Sequence, residues 1–145
     1  MLSTDSSKAF LVYVDDDPDD LYFIQEAFSS YRERLSVITF EKSPDAYQFL
    51  LELERTSKRP GLIILDMNMP ALSGREMLQL LRAIPFFDET PIILFTTSNS
   101  SLDEQFAHSY KAGFVTKPMS ASQMHAVADQ FWLHCHQDVR ESIRR

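Results

Sequence analysis

Apolar residues fall along this chain in short unbroken runs, with amphipathic stretches between them. Five runs, at residues 9–14, 35–40, 62–65, 92–95 and 114–116, read as strands. Most are continuous rather than alternating, the pattern of strands covered on both faces in a parallel sheet. The stretches between them carry helical spacing. Residues 18–31 place Leu21, Ile24, Ala27, Phe28 and Tyr31 on one side. Ser43-Pro44-Asp45 is a helix start, with a Ser cap, Pro in the first turn and an acid beside the helix dipole, followed by Ala46, Phe49, Leu50 and Leu53. Residues 73–84 carry Met77, Leu78, Leu80 and Leu81, residues 102–111 carry Phe106 and Tyr110, and residues 120–134 carry Met124, Val127, Ala128, Phe131 and Trp132. This strict alternation of strand and helix predicts a doubly wound α/β sandwich.

Sheets of this kind bind ligands beyond the carboxyl ends of their strands. The first strand runs into Asp15-Asp16-Asp17, the third ends in Asp66, the fourth in Thr96-Thr97 and the fifth in Lys117-Pro118. The second, ending in Glu41-Lys42, lies away from that point in the simplest strand order. One rim thus gathers carboxylates, a hydroxyl and an ammonium. Clustered carboxylates repel unless a cation joins them, and oxygen donors without His or Cys favour Mg²⁺. Mg²⁺ accepts one or two carboxylates plus a phosphate oxygen, Lys117 can hold a phosphoryl oxygen, and the Thr96 hydroxyl can donate to another. A carboxylate beside the metal can be the nucleophile that forms an aspartyl phosphate, and Asp66, alone on the middle strand, is the candidate.

Composition narrows the partners. A length of 145 residues suits one domain, and a formal net charge of −7 argues against a nucleic-acid surface. No apolar stretch approaches the roughly 20 residues that span a bilayer, and the start of the chain lacks the basic and apolar regions of a signal peptide. The single cysteine, Cys135, excludes an intrachain disulfide and fits a reducing, cytoplasmic setting. The expected organisation is a flexible tail at 1–7, a folded unit at 8–136, and a tail or helix extension at 137–145.

The chain resembles a receiver domain of the two-component response regulators. The resemblance rests on Val14-Asp15-Asp16-Asp17, on Leu65-Asp66-Met67-Asn68-Met69-Pro70 followed by Gly74, on Thr96, and on Phe114-Val115-Thr116-Lys117-Pro118, with 50, 30 and 21 residues separating Asp16, Asp66, Thr96 and Lys117. It implies a flavodoxin-like three-layer sandwich whose five-stranded parallel sheet has the order 2-1-3-4-5, with five helices. It further implies that Asp66 accepts a phosphoryl group from a sensor histidine kinase or phosphotransfer protein. Asp16, Asp66 and the backbone carbonyl of Asn68 would ligate Mg²⁺, with Asp15 acting through water. Lys117 would bind the phosphoryl group, with a cis bond to Pro118, while Thr96 and Phe114 would form the switch read by a downstream protein or a second copy of the chain. Thr97 and the short segment from Tyr110 to Phe114 depart from the common family pattern. The Thr96-Thr97-Ser98 run with Phe131-Trp132 resembles the small stand-alone regulators partnered with bacteriophytochrome-type kinases.

Other readings stand beside these. Asp15, Asp16 and Asp17 also suit a helix start, and Asp17, Asp19 and Asp20 read as nothing more. Gly74 reads as a turn or packing glycine. His134-Cys135-His136 has soft-metal ligands, but neighbouring helical positions face different ways. An aspartyl-phosphate phosphatase of the haloacid-dehalogenase type would need a second Asp where Asn68 stands. A pseudo-receiver, binding a protein without phosphorylation, needs none of the site chemistry. The residues beyond the last predicted helix are too few for a helix-turn-helix output module.

Overall fold

A computed structural model of the chain describes residues 8–135. Five strands, β1 (Ala9–Val14), β2 (Leu35–Phe40), β3 (Leu62–Asp66), β4 (Ile92–Thr96) and β5 (Gly113–Thr116), form one sheet in the order β2-β1-β3-β4-β5, and every pairing is parallel. Five helices cover it: α1 (Pro18–Ala27), α2 (Ser43–Thr56), α3 (Gly74–Arg82), α4 (Ser101–Ser109) and α5 (Ala121–His134). The doubly wound sandwich and the strand order are as expected.

Every residue of β3 and β4 is buried, which explains their unbroken apolar runs. Side chains alternate between two cores. Val12, Val14, Ile63, Leu65 and Leu94 pack with α2 and α3, while Leu11, Tyr13, Ile64, Ile93 and Phe95 pack with α1 and α5. Phe131 of α5 lies stacked at 6.4 Å on Phe28 and edge-on at 5.0 Å to Phe95, joining α5 to β4 and the end of α1. Trp132 is half-buried and stacks on Tyr31 at 5.2 Å, which is edge packing.

Several local expectations change. The first helix stops at Ala27 and the chain tightens into a 3-10 turn at Ser29–Tyr31, with a second at Pro85–Phe87. Ser43 does not cap α2: its hydroxyl donates to the Leu72 carbonyl at 2.6 Å, tying α2 to the loop after β3. The remaining starts are capped by side chains, Asp17 for α1, Ser73 with Glu76 in a capping box for α3, Ser100 for α4 and Ser120 for α5. The Lys117–Pro118 peptide, expected cis, is trans. Trans is the intrinsically preferred isomer of an X–Pro bond, and here the Lys117 amide already bonds the Thr96 carbonyl at 2.6 Å. No helix among the described residues is long and apolar enough to cross a membrane.

Candidate functional site at the carboxyl edge of the sheet

β1, β3, β4 and β5 deliver their last residues to one rim, because parallel pairing in this register aligns all carboxyl ends. Val14 lies beside Leu65, Asp66 beside Phe95, and Thr96 beside Thr116. Asp15, Asp16 and Asp66 each offer a carboxylate oxygen, and these three oxygens lie within 4.8 Å of one another. Asp15 is fully buried, Asp66 is 6% exposed and Asp16 is open to solvent. Lys117 reaches across from the end of β5. Its Nζ stands 2.8 Å from Asp15 Oδ2, 2.9 Å from Asp20 Oδ2 and 3.4 Å from Asp66 Oδ1.

Sequence reasoning missed two residues of this cluster. Asp20 read as a helix-start acid, yet it sits on the first turn of α1 facing the rim and accepts a hydrogen bond from Lys117. Tyr13 read as strand core. Its ring is buried against Phe95, but its hydroxyl donates to Asp15 Oδ2 at 2.6 Å. The period of two in β1 was the available signal, since it puts Tyr13 and Asp15 on one face. The other Asp15 oxygen accepts the Asp17 amide at 3.0 Å.

One ammonium therefore faces three carboxylates, those of Asp15, Asp20 and Asp66, with the exposed Asp16 beside Asp66. The electrostatics follow. Burial first, then the Asp15 charge, push the Asp66 carboxyl up to about 7 against the opposing pull of Lys117. Burial works against the Lys117 ammonium, but its bonds to Asp15 and Asp20 outweigh this and hold its pKa above the ordinary value. Burial and the Asp15 charge likewise push the Tyr13 hydroxyl far up, so it remains a donor. An all-oxygen donor set with excess negative charge fits a hard divalent cation.

Thr96 is buried, and its Oγ accepts the Ser98 amide at 3.1 Å. The loop after β4 is anchored further, because Ser98 donates to Asp103 at 2.6 Å and Asp103 pairs with Arg75 of α3 at 2.8 Å. Thr97 is exposed, Asn68 is exposed two residues beyond Asp66, and Phe114 is half-buried against the α2–α3 core. Gly74 is required by a close approach: a Cβ there would overlap the Asp66 carbonyl oxygen. His134 lies away from this rim, with its ring against Gly113 and its pKa lowered by burial, Cys135 is buried, and His136 lies outside the described residues.

A family model for the response regulator receiver domain matches residues 11–129. The chain belongs to this family. A hybrid signal transduction histidine kinase D of Dictyostelium discoideum is 31% identical over 81% of the chain, which spans only 7% of that protein's length. Response regulator Rcp1 of Synechocystis is 24% identical, with 85% of this chain and 88% of Rcp1 covered. Among solved structures, the phosphorylated cyanobacterial phytochrome response regulator RcpA superposes on this receiver domain with a TM-score of 0.78 at 26% identity, covering 87% of this chain and 94% of that one. The Mn(2+)-bound form of Rcp1 superposes with a TM-score of 0.74 at 25% identity, covering 86% and 94%. Receiver domains of this family take Mg²⁺ or Mn²⁺ at an acidic pocket, and Asp15, Asp16 and Asp66 form an acidic group that could hold such an ion.

Proposed function

We propose that this receiver domain is a single-domain response regulator, its folded unit at 8–136, that accepts a phosphoryl group on Asp66 and signals by a conformational switch in the cytoplasm. The observation that carries the reading is the placement of Asp66: a nearly buried carboxylate at the end of the central strand, 3.4 Å from the Lys117 ammonium and grouped with Asp15 and Asp16. Asp16, Asp66 and the Asn68 carbonyl would hold Mg²⁺, with Asp15 acting through water. The cation, when bound, neutralises charge on the transferring group. An Asp66 carboxylate oxygen forms a bond to phosphorus as the P–N bond of a phosphohistidine breaks. The departing imidazole nitrogen keeps the electron pair and takes a proton. Lys117 steadies one phosphoryl oxygen. The Thr96 hydroxyl turns to another, giving up the Ser98 amide, and Phe114 moves inward behind it.

The phosphoryl donor is a sensor histidine kinase or phosphotransfer protein. The likeness to a regulator named for phytochrome supports a kinase of that class. The reader of the switch is a protein partner or a second copy of the chain. The chain is a phosphoacceptor rather than a turnover enzyme, since Asn68 offers no general acid where a phosphatase of the haloacid-dehalogenase type needs one. A pseudo-receiver reading would leave the Asp66–Lys117 geometry without use. Acetyl phosphate or phosphoramidate with Mg²⁺ should add one phosphoryl group, read by intact mass. Asp66→Asn should abolish the gain. Labelling that persists in the variant would overturn the assignment to Asp66, and no labelling of the wild type would favour the pseudo-receiver.

A further inference from the structure

Lys117 Nζ stands 2.8 Å from Asp15 and 2.9 Å from Asp20, and makes a longer ion pair of 3.4 Å with Asp66. A phosphoryl group on Asp66 draws the ammonium closer than the 3.4 Å at which it now stands from Asp66, and so away from Asp15 or Asp20. Asp15 is the costly one to release. It has no solvent exposure, and Tyr13, itself fully buried, pins the same Oδ2 that Lys117 holds. A buried carboxylate that gives up its nearest ammonium loses more than a partly exposed one, which water can solvate in its place. Asp20 differs on both counts. Its side chain is 16% exposed, and it stands in the first turn of α1, where the helix dipole favours a negative charge.

We propose that Asp20 is a displaceable gate on Lys117: it holds the ammonium while Asp66 is unmodified, and a phosphoryl oxygen takes its place. Tyr13 is the positioning residue that decides which carboxylate leaves, by fixing Asp15. One N–H of Lys117 passes from Asp20 Oδ2 to the phosphoryl oxygen, Asp20 turns to water, and the first turn of α1 loses its tie to β5. Asp20 thereby opposes phosphorylation and links α1 to the state of the site. This rests on the phosphoacceptor reading above.

Beryllofluoride with Mg²⁺, a phosphoryl mimic, tests it on the full chain by titration calorimetry. Asp19→Ala is the control, because Asp19 is an exposed acid of the same helix turn and Lys117 bonds its neighbour instead. Asp20→Ala should bind beryllofluoride at least about fivefold tighter than wild type, while Asp19→Ala should show only the small effect of losing a nearby charge. In a Tyr13→Phe background, with Asp15 no longer pinned, the gain from Asp20→Ala should shrink. Equal affinities for the Asp20 and Asp19 variants would overturn the gate while leaving the phosphoacceptor reading intact. A wild type that binds no beryllofluoride would sink that reading, and the gate with it.

Discussion

Asp66 has its ordinary carboxylate value of 3.8 in the unfolded chain and about 7 in the folded one, raised first by burial and then by Asp15. Between those two values the folded protein holds a proton that the unfolded chain has lost. Its stability therefore falls as pH rises across that window when no cation is bound. Lys117 titrates above this range, so its charge is constant throughout. Asp66→Asn removes the dependence. In urea unfolding with a chelator, the stability of the variant relative to wild type should rise by on the order of 2–4 kcal/mol between pH 4 and pH 8. A difference that does not move with pH would show that the Asp66 carboxyl is not held up by its surroundings. Gly74 belongs to the same residue scale. It looked like a packing glycine in the sequence, and it is one, but what it packs against is the backbone of Asp66 itself.

At the scale of elements, apolar runs and spacing located the five strands and five helices of the described residues, and the differences lie at ends. β3 and β4 each extend one residue further than their apolar runs, to Asp66 and Thr96, because ladder pairing continues past the last apolar side chain. α3 begins at Gly74 because Ser73 and Glu76 close a capping box around its start. α2 is capped at its carboxyl end by Ser57, whose φ of 58° is left-handed. Glycine adopts that conformation without the clash a Cβ brings. Ser57→Gly should therefore raise stability by about 0.5–1 kcal/mol in denaturant melts, without changing phosphorylation. A loss of stability there would contradict the backbone geometry.

At the scale of the whole molecule, the sheet divides two cores, and the one under α1 and α5 is held by aromatic contacts that cross elements. Phe131 touches Phe28 beyond α1 and Phe95 on β4, directly beneath the strand that ends in Thr96. Phe131→Ala should cost about 3–5 kcal/mol of unfolding free energy by leaving a cavity among three elements. Chemical denaturation monitored at Trp132, which sits beside it on α5, would read this, and a cost below about 1 kcal/mol would show that α5 packs independently of β4.

Strand and helix order, the parallel sheet and the gathering of Asp15, Asp16, Asp66, Thr96 and Lys117 at one rim all follow from periodicity and spacing along the chain. Each depends on which face of an element a residue occupies, and that repeats locally. Which carboxylates Lys117 holds does not. Asp20 lies 97 positions from Lys117, and the bond between them exists only because α1 and β5 converge on the same edge. The Tyr13 hydroxyl is a local case, because the period of two in β1 sets Tyr13 and Asp15 on one face. What packing adds is burial of both groups, which leaves the hydroxyl with Asp15 as its partner. The partner of Ser43 was likewise fixed by a long-range contact, from Leu72. Local pattern places groups on a rim, while only the packed tertiary structure assigns their few hydrogen bonds among competing partners.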